Sequence, residues 1–363
     1  MARNIKVLII DDSALMRQML TAILHEDPQF QVVGAAADPF IAREKIKALR
    51  PDVLTLDVEM PRMDGLTFLE NLMRLHPLPV VMISSVTEKG ASATLRALEL
   101  GAVDFVMKPQ VDLRERLGEI GEEIRAKVKA AAEARLRPHV GIDRASPVDF
   151  QISATTVVNS GILNERIIVL GASTGGTQAI REVLECLPLE VPGIAIVQHM
   201  PSGTFTAAFA ERLNGTCQLE VREARDGELL APGLALVAPG GQHLTVVKTG
   251  LGYQVKTSLS DLVNRHRPSV DVLFNSAAKC AGKNALGILL TGMGSDGALG
   301  LRKLKDEGAH TFAQDEKSCV VYGMPKEAVR HGAVSELLPL DRIAGRIVSW
   351  AWSNARKCEI RRK

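Results

Sequence analysis

The sequence predicts an α/β protein of two doubly wound parallel-sheet domains joined by a linker. Three observations carry that prediction. Short apolar runs alternate with helix-length segments through both halves of the chain, the pattern of a parallel sheet covered on both faces. Polar residues recur just past the carboxyl ends of those runs, the edge where open α/β sheets place their sites. The second half opens on R-I-I-V-L-G-A-S-T-G-G, Arg166 to Gly176, where four consecutive apolar residues run into a glycine-rich turn. A short apolar run bounded by glycines reads as a fully buried strand.

Composition sets the outer limits. The chain has 363 residues, 46% of them apolar and 24% charged, which suits two or three ordinary domains with filled cores. A net charge of +2 gives no electrostatic reason to expect nucleic-acid binding. No apolar run approaches the ~20 residues that cross a bilayer, so no membrane insertion is expected. The N-terminal M-A-R-N enters a strand without a signal peptide's apolar core. Cys186, Cys217, Cys280, Cys319 and Cys358 are scattered and never in C-x-x-C spacing, against a disulfide framework or a zinc site. The expectation is a cytoplasmic protein, and a monomer.

In the first domain, residues 5–10 form a strand ending in Asp11-Asp12, and a helix begins near Ser13. Strands follow at 31–35, at 52–56 ending in Asp57, at 78–83 ending in Ser84, and at 104–107 ending in Lys108. A helix is expected around 42–49. Asp11, Asp12, Asp57, Ser84 and Lys108 thus fall at one sheet edge. Carboxylates gathered there repel unless a cation holds them, and hard oxygen ligands suit Mg²⁺. A lysine and a hydroxyl beside them could bind the oxygens of a transferred phosphoryl group.

Strand-DD, strand-D-x-x-MP-x-x-DG, strand-S and strand-KP at these intervals resemble the receiver domain of bacterial response regulators, over about the first 120 residues. The resemblance implies a flavodoxin-like fold and phosphorylation of Asp57 by a chemotaxis histidine kinase. It also implies Mg²⁺ held by Asp11, Asp12, Asp57 and the backbone carbonyl of Glu59, with Ser84 as switch hydroxyl and Lys108 as phosphate contact. Phe105 stands at the position of a switch aromatic.

Residues 114–137 are rich in charges and alanine, with Leu117, Ile120, Ile124 and Val128 at helical spacing. Residues 138–161 lose periodicity and predict a mobile connection. The expected boundaries are 1–125 for the first domain, 126–162 for the linker and 163–358 for the second domain.

In the second domain, Ser173 lies in G-x-S-x-G spacing with Gly171 and Gly175. From these residues alone the turn reads as a nucleophile elbow, a phosphate-cradling loop, or a plain strand–helix turn. A helix is expected over 178–187. Strand 193–197 ends in Gln198-His199, helix 205–213 follows, and strands are expected at 219–224, 235–238 and 244–248 as a small antiparallel excursion. Helix 272–280 precedes strand 285–290, which ends in T-G-M-G-S-D-G with Asp296 as its acid. Ser173, His199 and Asp296 each follow a buried strand and would meet at one edge. Imidazole can take a serine's proton near neutral pH, and a carboxylate on its other nitrogen fixes the tautomer and stabilises the imidazolium. The Ser-His-Asp order is not that of the α/β-hydrolases. No complete phosphate-loop motif is present.

GASTGG, IVQHM, APGGQH, NRHRPSVDVLF, LLTGMGSDGALG and AQDEKSCVVYGMP resemble the chemotaxis protein-glutamate methylesterases, as does the order of receiver before esterase. The resemblance implies a Rossmann-like methylesterase domain, with Ser173 as nucleophile, His199 as base and Asp296 as its carboxylate, and needs no cofactor for the ester chemistry. Substrates would be glutamyl methyl esters and certain glutamines on methyl-accepting chemoreceptors. Backbone N–H groups near Thr174 or Met293 are candidates for an oxyanion hole. His266 shapes the cleft, binds substrate or serves packing. Asp271 reads as a helix cap and Asp315 as a loop residue. The competing outputs are a non-catalytic receptor-binding adaptor and a DNA-binding domain, although nothing after residue 163 reads as a helix-turn-helix.

Overall fold

The computed structural model describes residues 4–84, 87–108, 117–136, 160–201 and 204–353, and the chain divides into two units, Met1–Gly141 and Ile142–Lys363. Most of the segment expected to be a mobile connection, 137–159, lies outside the described residues.

The first unit alternates strictly. Strands β1 (Ile5–Ile10), β2 (Phe30–Ala36), β3 (Val53–Asp57), β4 (Val80–Ser84) and β5 (Asp104–Met107) are separated by α1 (Ala14–His25), α2 (Pro39–Leu49), α3 (Gly65–Leu75) and α4 (Glu88–Glu99), and α5 (Leu117–Ala132) follows. The sheet order is β2-β1-β3-β4-β5, all parallel. That order reverses direction between β1 and β3, which opens a crevice at their carboxyl ends. Polar side chains start the helices: Ser13, Asp38, Asp64 and Thr87 accept backbone N–H bonds as N-caps. Asp38 and Pro39 start α2 three residues earlier than its apolar pattern suggests, proline fitting the first turn, where no N–H is needed.

The second unit begins with α6 (Ser160–Asn164) and β6 (Ile167–Ala172), then α7 (Gly176–Glu185), β7 (Gly193–Gln198) and α8 (Phe205–Asn214). Strands β8 (Glu220–Glu223), β9 (Leu234–Val237), β10 (His243–Thr249) and β11 (Gly252–Ser258) come next. Helix α9 (Val270–Ala281), β12 (Ala285–Leu289), α10 (Ala298–Asp306), β13 (His310–Gln314), α11 (Met324–Arg330), β14 (Glu336–Leu338) and α12 (Leu340–Ala351) complete it. Seven strands form one parallel sheet in the order β14-β13-β12-β6-β7-β9-β8.

The expected antiparallel excursion is therefore only partly right. β8 and β9 extend the main sheet in parallel, and only β10 with β11 forms an antiparallel hairpin. Ala224 donates its N–H to Val237, and Ala238 to Ile196, so both short strands enter the main ladder. The core gathers under β6, β7, β9 and β12, where Val169, Val197, Leu236, Leu273, Phe274 and Leu289 are fully buried. Arg166, just before β6, is buried and reaches the carbonyls of Trp350 and Ala351 at the end of α12. Its guanidinium also lies over the Trp350 ring at 4.9 Å, so positive charge meets a helix carboxyl end. No described helix is long and apolar enough to cross a membrane.

Candidate functional site

In the first unit, β1 delivers Asp11 and β3 delivers Asp57, both buried, while Asp12 is exposed. One carboxylate oxygen from each lies within 4.8 Å of the others. Lys108, half-buried after β5, places Nζ 2.7 Å from Asp57 Oδ2 and 3.9 Å from Asp11 Oδ2. Burial pushes the Asp57 carboxyl up, and its bond with Lys108 offsets that only in part. Asp11 is pushed up to about 6, first by burial and then by the Asp57 charge. Burial would lower Lys108, but the bond to Asp57 and the surrounding carboxylates hold its ammonium above the ordinary range. One lysine thus faces three carboxylates. Asp11 Oδ2 is buried with no hydrogen-bond partner among the described residues, and such an oxygen suits a hard divalent cation.

The other expected residues lie around this cluster. The Glu59 backbone N–H donates to Asp57 Oδ1 at 3.3 Å, and the Glu59 side chain is exposed. Ser84 is buried, its hydroxyl accepting from Thr94 at 2.6 Å and lying 3.3 Å from the Gly90 carbonyl. Phe105 is buried, with Lys127 Nζ 5.2 Å from its ring.

In the second unit, Ser173, His199 and Asp296 follow β6, β7 and β12, three adjacent strands that include the point where strand order reverses. His199 donates its backbone N–H to Ala172 at 3.1 Å, and Ser173 donates its own to Thr291 at 3.0 Å. The turn needs its glycines. Gly175 has φ of +75°, and a Cβ there would lie 2.6 Å from Val320; one on Gly292 would lie 2.8 Å from Ser173 Cβ. Gln198 ties the two loops together, its Nε2 donating to the carbonyls of Ser173 at 2.9 Å and His199 at 3.1 Å.

The His199 imidazole meets Asp296 through Nε2, 2.9 Å from Oδ2. An ionised carboxylate only accepts, so Nε2 carries the proton and Nδ1 is the basic nitrogen. Nδ1 is buried with no hydrogen-bond partner among the described residues. Asp296 is heavily supported. Its Oδ2 also accepts from the Val270 N–H at 2.6 Å, and its Oδ1 from Asn264 Nδ2 at 2.7 Å, Ser269 Oγ at 2.8 Å and the Asp271 N–H at 3.3 Å. Burial alone would raise the Asp296 carboxyl, but hydrogen bonds from His199, Asn264 and Ser269 hold it well below the usual carboxylate range.

Ser269 occupies the N-cap position of α9 without capping it by its side chain; Asp296 fills that end instead. Asp271 is a cap, but of another helix: its Oδ1 accepts from the Gly300 N–H in the first turn of α10 at 2.6 Å. Burial, more than the nearby Asp296 charge, raises its carboxyl. The His266 ring stacks on His199 with centroids 3.7 Å apart and planes 15° from parallel. Thr174 is buried, its carbonyl 3.0 Å from the Thr291 hydroxyl, and Met293 is half-buried. Asp315 accepts from the Ser318 N–H within its loop.

With this geometry in view, comparison with known proteins is specific. Residues 7–118 match the model of the response regulator receiver domain, and residues 168–347 match that of the CheB methylesterase. A protein-glutamate methylesterase/protein-glutamine glutaminase of Geobacter metallireducens is 54% identical, over 97% of this chain and 98% of its own. This chain belongs to that family. The Nitrosomonas europaea member is 55% identical over 96% of each chain. The solved methylesterase catalytic domain of Thermotoga maritima CheB is 37% identical, over 51% of this chain and 97% of its own, with a TM-score of 0.49.

Sequence reasoning did not single out Gln198, Asn264, Ser269 or Thr291, which tie the three strand-end loops together. Gln198 and Ser269 carried usable signals, one adjoining His199 at a strand end and the other opening a helix as serine often does. Asn264 and Thr291 carried none, because the contacts that join them to the other loops, to Asp296 and to Thr174, span 32 and 117 residues of sequence.

Proposed function

We propose that this family member hydrolyses glutamyl methyl esters to glutamate and methanol, and glutamine side chains to glutamate and ammonia, on methyl-accepting chemoreceptors. Ser173, His199 and Asp296 carry the chemistry. Ser173 Oγ attacks the side-chain carbonyl while His199 Nδ1 takes its proton. Asp296 holds Nε2–H and balances the imidazolium that forms. The tetrahedral oxyanion is met by backbone N–H groups in the Thr174 and Met293 turns. His199 returns its proton to methanol or ammonia as that bond breaks, then activates the water that releases glutamate from the acyl-serine. One observation carries the reading above others: the 2.9 Å Nε2–Asp296 contact leaves Nδ1 as a buried, unpartnered base, on a loop that Gln198 ties to the carbonyl of Ser173. A purely adaptor role has no use for such a nitrogen.

Asp57 is the phosphoryl acceptor, with a chemotaxis histidine kinase as donor. Asp11, Asp12, Asp57 and the Glu59 carbonyl would hold Mg²⁺, which neutralises the phosphoryl oxygens when bound. Lys108 contributes a fixed positive charge beside Asp57, and Ser84 supplies the switch hydroxyl. Phosphorylation adds about 1.5 to 2 negative charges at Asp57 and raises esterase activity.

The test is methanol release from methylated receptor membranes by the full chain and by Ser173→Ala, each with and without acetyl phosphate and Mg²⁺. Release that requires Ser173 and rises with the phosphodonor is expected. Release indifferent to Ser173 would remove the triad.

A further inference from the structure

Asn264 has no part in the triad, yet the geometry around it is unusual. Asn264 and Arg265 both have positive φ, +52° and +66°, the conformation of a two-residue hairpin turn. Val263 and His266 close that turn with reciprocal backbone bonds of 3.1 and 2.9 Å. Left-handed backbone at two successive non-glycine residues persists only where surrounding contacts hold it. Two sets of contacts do so. Asn264 Nδ2 donates to Asp296 Oδ1 and to Asp271 Oδ2, each at 2.7 Å. At the other end of the turn, His266 lies flat on His199. The contacts make a closed ring: His199 to Asp296, Asp296 to Asn264, the turn to His266, and His266 back to His199.

We propose that Asn264 is a positioning residue for the hydrolytic step, a neutral double donor that fixes Asp296 and sets how strongly it holds the histidine. This rests on the esterase reading above. The residue type follows from the site. Asp271 and Asp296 are buried carboxylates, and after burial itself the Asp296 charge helps to raise the Asp271 carboxyl. One amide nitrogen with two hydrogens bridges them without adding charge. Aspartate tolerates the turn but would bring a third carboxylate, and glycine tolerates it but brings no donor. Each donor on Asp296 draws charge away from the oxygens facing His199. The imidazolium is then stabilised enough to form and still yields its proton to the leaving group. Among the described residues, the titratable groups facing the His199–Asp296 pair include His266 from the turn and Asp271 from α9.

The experiment measures methanol release from methylated receptor membranes by the full chain with acetyl phosphate and Mg²⁺, for wild type, Ser173→Ala, Asn264→Gly and Asn264→Asp. Dividing each variant's kcat/KM by wild type at the same pH cancels the receiver's contribution. Both Asn264 variants are expected to lose about tenfold or more in kcat with KM little changed. Between about pH 8 and pH 6 their ratios should diverge. The Asn264→Gly ratio falls toward acid, because an Asp296 with fewer donors on it binds the imidazolium more tightly than the neutral ring. The Asn264→Asp ratio rises toward acid, as the new carboxyl takes a proton and becomes a donor. Ratios that stay flat with pH in both variants, or kcat equal to wild type, overturn the proposal while leaving Ser173-dependent release intact. Release that does not need Ser173 overturns the esterase reading and this proposal together. If Asn264→Gly does not fold by circular dichroism, the acid recovery of Asn264→Asp decides alone.

Discussion

Replacing Asp296 by asparagine keeps the shape of the side chain and removes half of what it does. Five donors converge on its two oxygens in this structure, and an amide offers one oxygen and a nitrogen that cannot accept. With its nitrogen in the place of Oδ2, the amide faces the N–H groups of Val270 and His199. With its nitrogen in the place of Oδ1, it faces the Asn264 amide, the Asp271 N–H and the Ser269 hydroxyl, of which only the hydroxyl can turn to accept. Either way two buried donors lose their acceptor, at about 1 to 3 kcal/mol each before relaxation. A loss of about 3 kcal/mol is expected, or roughly 6 to 12 °C in the melting temperature of a unit this size. Catalysis should suffer more. The histidine escapes the clash by moving its proton to Nδ1, the nitrogen that receives the serine proton in the mechanism proposed above. That change, with the lost counter-charge, predicts a fall in kcat of about a thousandfold or more. The assay pairs thermal melting by circular dichroism with the rate of Ser173 labelling by a fluorophosphonate probe at a temperature where both proteins are folded. A folded Asp296→Asn chain labelled within tenfold of wild type at neutral pH would refute the reasoning.

Other expectations follow from the same structure. Asp57→Asn should keep its basal methanol release and lose its response to acetyl phosphate with Mg²⁺; equal stimulation of both chains would move the phosphorylation site elsewhere. In EDTA the first unit should lose stability as pH rises from about 4 to 6. Asp11 keeps its proton to about 6 when folded, against an ordinary 3.8, so the unfolded chain releases it first. The full effect is up to about 3 kcal/mol. Calorimetry in EDTA should show this as a falling first transition that Mg²⁺ restores, and a transition flat with pH would contradict it. Gly175→Ala forces a Cβ at φ of +75° to within 2.6 Å of Val320, at about 1 to 3 kcal/mol, and should slow the fluorophosphonate reaction of Ser173. Unchanged labelling and melting would show that the serine turn has slack the glycines do not suggest.

The sequence disclosed most where local chemistry and global fold coincide. Strands β4, β6, β7 and β12 are buried along their length and read as nearly continuous apolar runs, β1 and β3 are interrupted only by Lys6 and Thr55, and the polar residues at or just past their ends mark one sheet edge. β8 and β14 were harder to read. They have four and three residues, lie at the two edges of their sheet, and carry glutamates among their few residues, so nothing in their pattern tells parallel from antiparallel pairing. β11 alternates only loosely after a glycine-rich turn, and its pairing with β10 was missed. Within the site, the proposed triad residues announce themselves by position, whereas Asn264 is picked out only by a φ angle and by contacts with Asp271 and, 32 residues away, Asp296. Such contacts exist only once β6, β12 and α9 have been brought together.

The buried Arg166 has a consequence for how this protein is made. It immediately precedes β6, a central strand of the second sheet, yet the carbonyls it holds belong to the end of α12, 184 and 185 residues further along. A ribosome delivers β6 early and α12 last. Until α12 emerges, the guanidinium has no helix end to occupy, and the strand that carries the serine turn is flanked by an unpaired charge that must stay in water. The second unit therefore cannot mature stepwise from its beginning; its closing contact waits for the far end of the fold, as expected of a topology dominated by long-range pairing.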